Sequence, residues 1–285
     1  MSQIPVLKDL PVGKYLQEHV GSLVGPLIMD EPVKRESILR SVNDFYRNGN
    51  GLLSTSGIQA TAFFVSNLSR HERDQPDWPD NQFVLIDSGL SSLVTSQIAE
   101  KLNLEDGISQ RFWGRAENTQ YSMITNIVLR SFSRGEVKLQ SKDPFVPLKF
   151  DPRYLEDERD VRVLIEGAKR AVKLFEESET YGKYNARLLN VSFPGCEKET
   201  FKSDGYWECS HRHLTLATHH QSGTCPMGKR DSPVAVVDSE LRVFGTKNLR
   251  VVDASVMPNV TAGSLNAPVI MIAEVVSDAI KSSWS

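Results

Sequence analysis

The sequence predicts an α+β fold in which an antiparallel sheet is backed by helices, and three observations carry that expectation. Runs rich in β-branched and aromatic residues occupy positions 60–66, 83–87, 122–130 and 136–141, the composition of strands. Val161, Leu164, Ile165, Ala168, Val172 and Phe175 recur at helical spacing while Arg162, Lys169 and Lys173 fall on the opposite face, the pattern of a helix lying on a core. From residue 235 onward the order becomes strand, turn, strand, loop and helix.

Taken in order, residues 31–47 place Ile38, Leu39, Val42, Phe45 and Tyr46 at helical spacing and end at Asn48-Gly49, so an amphipathic helix with a normal exit is expected. Strands at 60–66 and 83–87 precede a helix at 91–102. The runs at 122–130 and 136–141, separated by Ser131-Phe132-Ser133-Arg134-Gly135, read as a hairpin that could floor a substrate pocket. Asp157 is placed to cap the long helix that follows, and the apolar stripe of that helix is core rather than a site. Strands at 236–243 and 249–253 lead to a helix at 266–281, with Asn266 as its cap and Pro268 inside its first turn, where a missing N–H costs nothing.

The bulk numbers exclude several functions. A chain of 285 residues with 40% apolar content can bury a sizeable core, in one large domain or two small ones. The net charge of −3, the pI of about 6.1 and scattered basic residues exclude a nucleic-acid partner. The longest apolar run, 267–276, contains Glu274 and is far short of the roughly 20 residues that span a bilayer. Met1 is followed by Ser-Gln-Ile-Pro-Val-Leu-Lys-Asp, which lacks the basic start and apolar core of a secretory signal. No internal repeat or low-complexity tract is present. Of three cysteines, Cys196 and Cys209 flank an eight-residue stretch, and either a disulfide or two reduced buried thiols fits them. Glycosylation triplets at Asn67, Asn190 and Asn259 fit an extracellular protein. Gly49-Asn50-Gly51 follows a helix rather than a strand, so it is no dinucleotide-binding turn.

The most informative stretch is His219-His220-Gln221-Ser222-Gly223-Thr224-Cys225-Pro226-Met227-Gly228, followed by Val251-Val252-Asp253-Ala254-Ser255 and then Leu265-Asn266-Ala267-Pro268. With Leu10 to His19, read as LPVGKYLQEH, and Asp151-Pro152-Arg153-Tyr154-Leu155, this resembles the C-terminal half of a glucose-methanol-choline (GMC) oxidoreductase, nearest the insect glucose-dehydrogenase-like branch. The resemblance implies an FAD-dependent oxidation of a small alcohol or sugar. It implies residues 1–30 as the tail of an FAD-domain segment, 31–215 as the substrate-binding domain, and 216–285 as the C-terminal part of the FAD-binding domain, carrying the active-site histidine. Nothing matches the family's N-terminal dinucleotide-binding half, so the chain reads as a fragment for which that half would be a partner. A secreted or extracellular source protein would permit a Cys196–Cys209 disulfide.

The resemblance assigns residues as follows. His220 matches the catalytic histidine, a residue type whose ordinary pKa suits it to take a hydroxyl proton near neutrality. His219 stands where relatives have tyrosine and either lines the substrate pocket or bonds the neighbouring backbone. Ser264 occupies the second catalytic position, where Asn or His is usual, and a hydroxyl cannot serve there as an amide or imidazole does. Asp253, Ala254, Asn266 and Pro268 form the flavin-facing group, the helix start lending partial positive charge; a plain turn aspartate is the alternative for Asp253. Three rivals stand beside this reading. One is a non-catalytic relic or binding module that does not hold FAD by itself. A serine hydrolase built on Ser222 and His220 lacks the Gly-x-Ser-x-Gly turn. A zinc site from His211, His213, His219 and His220 lacks ligand spacing, and His211-Arg212-His213 reads as surface on a strand or turn.

Overall fold

The computed structural model describes residues 5–30, 38–54, 57–72, 77–86, 100, 102–116 and 121–284. Its strands are β1 (Val20–Ile28), β2 (Ile58–Phe64), β3 (Asn81–Ile86), β4 (Tyr121–Val128), β5 (Glu136–Lys138), β6 (Lys149–Asp151), β7 (Arg187–Leu188) and β8 (Thr215–Ala217). Its helices are α1 (Ile38–Asn48), α2 (Asn67–Glu72), α3 (Ile108–Phe112), α4 (Glu158–Glu177), α5 (Glu179–Gly182), α6 (Asp204–His213) and α7 (Asn266–Ser282). The chain divides into two compact units, one of Gly21–Ile127 with Val161–Leu216, the other of Met1–Val20, Val128–Asp160 and Ala217–Ser285. The α+β class read from the sequence holds.

The first unit contains a sheet ordered β2-β3-β4-β1-β7, with β8 also pairing β1. β2 and β3 run antiparallel, as do β1 and β7. β1 is buried along nearly its whole length, as an interior strand covered on both faces must be, whereas β2 at the edge is exposed. The core gathers Val24 and Leu27 of β1, Met123 and Ile124 of β4, Trp113, Phe193, and Ala168 and Phe175 of α4. α4 behaves as its pattern requires: the apolar stripe faces inward, Arg162, Lys169 and Lys173 face out, and the Asp157 carboxylate accepts the Arg159 N–H at 3.0 Å, closing the helix start. Cys196 and Cys209 form a disulfide that ties α6 to the preceding loop, settling the alternative left open above.

One glycine in α4 is demanded by packing. The buried Asn126 side chain donates to the Leu164 carbonyl at 2.8 Å and accepts from Asn81 at 2.9 Å, and a Cβ on Gly167 would lie 2.3 Å from its Oδ1. Held by two bonds, the amide cannot swing aside. Gly167→Ala should therefore destabilise the protein by about 1–3 kcal/mol although alanine is the better helix former by about 1 kcal/mol. Chemical denaturation checks this, and a stabilised variant would contradict it.

Several local expectations are corrected. Residues 122–130 and 136–141 do not form a hairpin: β4 belongs to the large sheet, while β5 pairs antiparallel with β6. The intervening segment is no tight turn, because the Asp160 carboxylate takes the N–H groups of Phe132 and Ser133 at 2.8 and 2.9 Å and Gly135 bridges to Leu16. The strands expected at 236–243 and 249–253 reduce to isolated bridges, Val237 to Val243 and Arg242 to Arg250. Turns interrupt them where Asp238 binds the N–H groups of Glu240 and Arg242 and Leu241 and Asn248 take positive φ. In α1, Leu39 and Tyr46 are exposed and Ser41 is buried; the chain after Gly49 folds back so that Gly51 sits on Ser41, covering the other side of the helix. Asn266 is the first helical residue rather than the cap, a place Leu265 takes with no side-chain bond. His211 and His213 lie on α6, not on a strand, and His211 is fully buried, stacked on Trp207 and bonded to Ser22 Oγ at 2.8 Å. The helix expected over 91–102 and the start of the one at 31–37 lie outside the described residues, save positions 100 and 102.

Candidate functional site

In the second unit the chain before β1 reads Gln17-Glu18-His19, three polar side chains that are all buried. Burial of such groups is costly unless each is bonded, and each is. Gln17 exchanges both backbone bonds with Ser222, at 3.0 and 2.9 Å. Its side chain donates to the carbonyls of Met257 and Pro258, both at 3.2 Å, and accepts the Val260 N–H at 3.0 Å. One glutamine thus pins the His220 loop on one side and the 257–260 segment on the other. Gly223, at φ +76°, is needed beside it, since a Cβ there would meet Gln17 Nε2 at 2.4 Å and the Tyr15 carbonyl at 2.8 Å.

Glu18 holds the loop from beneath. Its carboxylate accepts the backbone N–H of His220 at 3.0 Å, the Gln221 amide at 3.1 Å, and the Tyr154 hydroxyl. Burial, then the bond to Glu18, pushes the Tyr154 phenol far above its ordinary value, so it stays protonated as the donor. This gives Tyr154 of the Asp-Pro-Arg-Tyr-Leu segment a physical purpose.

His19 and His220 meet edge to face, with ring centroids 5.0 Å apart and the two Nδ1 atoms 2.9 Å apart. His19 Nε2 lies 2.7 Å from the Thr261 carbonyl. Thr218 donates its hydroxyl to the His19 carbonyl at 2.9 Å and lies 3.1 Å from His220 Nδ1. Burial pulls the pKa of His19 down to about 4. His220 is lowered from its ordinary value chiefly by burial, against the pull of Glu18, which raises it, and with a further lowering from His219. Both rings are therefore neutral at pH 7, and His220 Nε2 has no hydrogen-bond partner among the described residues. That is the state a proton acceptor requires.

The remaining expected residues make few contacts with this pair. Beyond Gly223 the loop runs beside the Asp253 turn: the N–H groups of Gly223, Cys225 and Met227 donate to the carbonyls of Ala254, Ser255 and Val256 at 3.3, 2.9 and 2.8 Å. Asp253 is exposed and caps the short helical turn Ala254–Val256 by accepting the Ser255 N–H at 2.8 Å, a contact the turn-aspartate alternative also requires; its second oxygen has no hydrogen-bond partner among the described residues. Asn266 and Pro268 sit in the first turn of α7, whose preceding Leu265 packs with Met257 and Val260. Ser264 is exposed and makes no hydrogen bond to His220 among the described residues. His219 is exposed at φ +60°, a backbone region uncommon for a non-glycine residue, and it turns the chain into His220. Ser222 is buried and its hydroxyl is unbonded, while His220 Nδ1 is engaged by His19 and Thr218, so no Ser–His pair forms. The sole grouping of potential metal ligands among the described residues is Cys196, Cys209 and His213, and its cysteines are spent in the disulfide; the four histidines of the zinc reading do not cluster.

Gln17, Glu18 and His19 received no individual role from the sequence. The available signal was a run of three polar residues immediately before the apolar run of β1, where ionisable groups are rarely placed without partners.

Residues 131–273, half of the chain, match the C-terminal model of the family described as GMC oxidoreductase. The chain is 36% identical over 273 residues to a protein named glucose dehydrogenase (FAD, quinone) from Drosophila pseudoobscura pseudoobscura, covering 96% of this chain and 41% of that one. It is 32% identical to an oxygen-dependent choline dehydrogenase from Burkholderia pseudomallei, over 98% of this chain and 44% of that one. Among solved structures, formate oxidase matches with a TM-score of 0.69 at 19% identity, over 95% of this chain and 47% of that one. Pyridoxine 4-oxidase from Mesorbium loti matches with a TM-score of 0.66 at 22% identity, over 94% of this chain and 43% of that one; both likenesses concern the fold. The chain thus spans about two fifths of the length of these curated relatives. On the family match, the sequence identities and the shared fold, the chain belongs to the GMC oxidoreductase family.

Proposed function

We propose that the chain forms the substrate side and part of the flavin side of an FAD-dependent oxidoreductase acting on the CH–OH group of a small alcohol or sugar. In this reading residues 1–30 close an FAD-domain segment, 31–215 form the substrate-binding domain, and 216–285 return to the FAD domain. The observation that carries it is His220: a neutral imidazole with one nitrogen held and the other open, on a loop whose next residues are bonded to the Asp253–Val256 turn. The relatives' names, glucose dehydrogenase (FAD, quinone) and choline dehydrogenase, supply the cofactor and the substrate class.

The flavin-facing residues suit that cofactor on one count that can be read here. The start of α7 is exposed at Asn266 and Ala267 and carries no side-chain cap, so its first-turn N–H groups present partial positive charge to an electron-rich ring. Ala254, Asn266 and Pro268 would hold the ring edge, with Asp253 contributing its open oxygen. FAD, when bound, accepts the hydride released from the substrate carbon. His220 takes the hydroxyl proton on its open nitrogen. The Glu18 carboxylate beneath the loop favours the resulting imidazolium, and His219 lines the substrate side. α7 leaves Ile270, Met271 and Val275 more than half exposed, an apolar face against which the flavin-binding half implied by the family resemblance would pack.

Adding alcohols and sugars to the flavin-loaded protein under anaerobic conditions tests this reading. Bleaching of the flavin absorbance by at least one of them is expected; flavin that stays oxidised against the whole panel contradicts it. Ser264 weakens the second catalytic position, because a hydroxyl cannot reach both the substrate oxygen and a further partner as an amide does. Ser264→Asn should speed flavin reduction about tenfold, the worth of roughly one hydrogen bond gained in the transition state, and an unchanged rate would remove Ser264 from the site.

A further inference from the structure

We infer that His19 is a positioning residue that fixes His220 in its Nδ1–H tautomer and so leaves Nε2 as the nitrogen that accepts a proton. Counting the ring donors at the contact fixes both tautomers. A carbonyl oxygen only accepts, so the 2.7 Å contact between His19 Nε2 and the Thr261 carbonyl requires a proton on His19 Nε2. His19 is buried and neutral, its pKa drawn down to about 4, so it carries one ring proton and its Nδ1 is a bare acceptor. The 2.9 Å contact between the two Nδ1 atoms then needs a proton from the other side, and His220 must supply it. Thr218 gives the same answer independently. Its single hydroxyl proton goes to the His19 carbonyl at 2.9 Å, so toward His220 Nδ1, 3.1 Å away, it can only accept.

Among the described residues two acceptors converge on His220 Nδ1 and none on Nε2. The groups facing the pair are the Glu18 carboxylate and His219 beside His220, and the Thr261 and Leu129 carbonyls beside His19. The competing arrangement places the His19 proton on Nδ1 and frees His220 to carry its own on Nε2, the form an unconstrained histidine prefers. That arrangement forfeits the 2.7 Å bond to Thr261 inside a buried site, where an unmade hydrogen bond is most costly. Orientation of a base by a third group is how nucleophile and proton-transfer sites are commonly held; here a neutral imidazole takes that part. The inference rests on the alcohol-oxidation reading only for what the open nitrogen does, since the tautomer itself needs neither flavin nor alcohol.

Long-range proton–nitrogen spectra of the 15N-histidine-labelled chain at about pH 7.5, where an ordinary histidine is neutral, test it. The chain has only six histidines, and the His220 signals are identified by their loss in His220→Gln. The expected wild-type pattern is a protonated Nδ1 and an unprotonated Nε2 at His220. With both acceptors removed, in His19→Leu combined with Thr218→Val, the Nε2–H form should become the majority. A wild-type His220 already in the Nε2–H form overturns the inference without recourse to any variant, as does an Nδ1–H form that persists unchanged in the folded double variant. An Nδ1–H spectrum in a protein whose flavin no alcohol reduces would sink the proposed reaction and leave the positioning role standing.

Discussion

Replacing His220 by Asn in the flavin-loaded protein is expected to lower the rate of anaerobic flavin reduction by an alcohol by a factor of roughly 10²–10⁴, the range for loss of a general base. Asparagine keeps a polar group near Thr218 and His19 and leaves intact the backbone N–H that Glu18 holds at 3.0 Å, so the loop should keep its path and the flavin its spectrum. The loss should fall on the reduction step rather than on substrate affinity, because the open nitrogen acts only as the O–H bond breaks. Stopped-flow absorbance reads the rate directly. A variant that reduces its flavin as fast as the parent would remove His220 from the chemistry.

The second large effect is on stability in acid. His19 and His211 are both buried, and burial lowers each from 6.5 to about 4. Between those values the unfolded chain binds protons that the folded chain refuses, so stability is fully present above pH 6.5 and is lost as pH falls toward 4. Each histidine should cost its own unit about 2 kcal/mol between pH 6.5 and 5. Asp160 works in the opposite sense: burial raises its pKa, so its contribution is present in acid and lost as pH rises, which offsets part of the fall. Urea midpoints measured from pH 7 to 5 should drop steeply, and His211→Leu should flatten the part due to its unit. A flat profile in the parent would contradict the neutral, buried state of both rings.

Much of this was legible in the sequence because it is local. The α4 stripe is set by helical spacing, and its buried and exposed faces follow residue by residue. The His220 loop and the α7 start announce themselves through motif and composition. What the sequence hid is relational. Nothing local separates a hairpin at 122–141 from two strands in different sheets; the difference lies in Asp160, which takes the N–H groups of Phe132 and Ser133 from 27 or 28 residues away. His211-Arg212-His213 looks like surface until Ser203 caps a helix at Asp204 and turns His211 inward. The deepest omission is the Gln17-Glu18-His19 triad, whose partners lie more than 100 and mostly about 200 or more residues along the chain. Only their final contacts show which brace the loop backbone and which touch the His220 ring.

Dependence of the anaerobic flavin-reduction rate on pH shows whether His220 takes the substrate's proton. With His220 as the base, its pKa lowered by burial, the rate should rise with pH, reach half its maximum below 6.5, and stay level through neutrality. A rate indifferent to pH across that range, or one that falls as His220 loses its proton, would contradict the assignment.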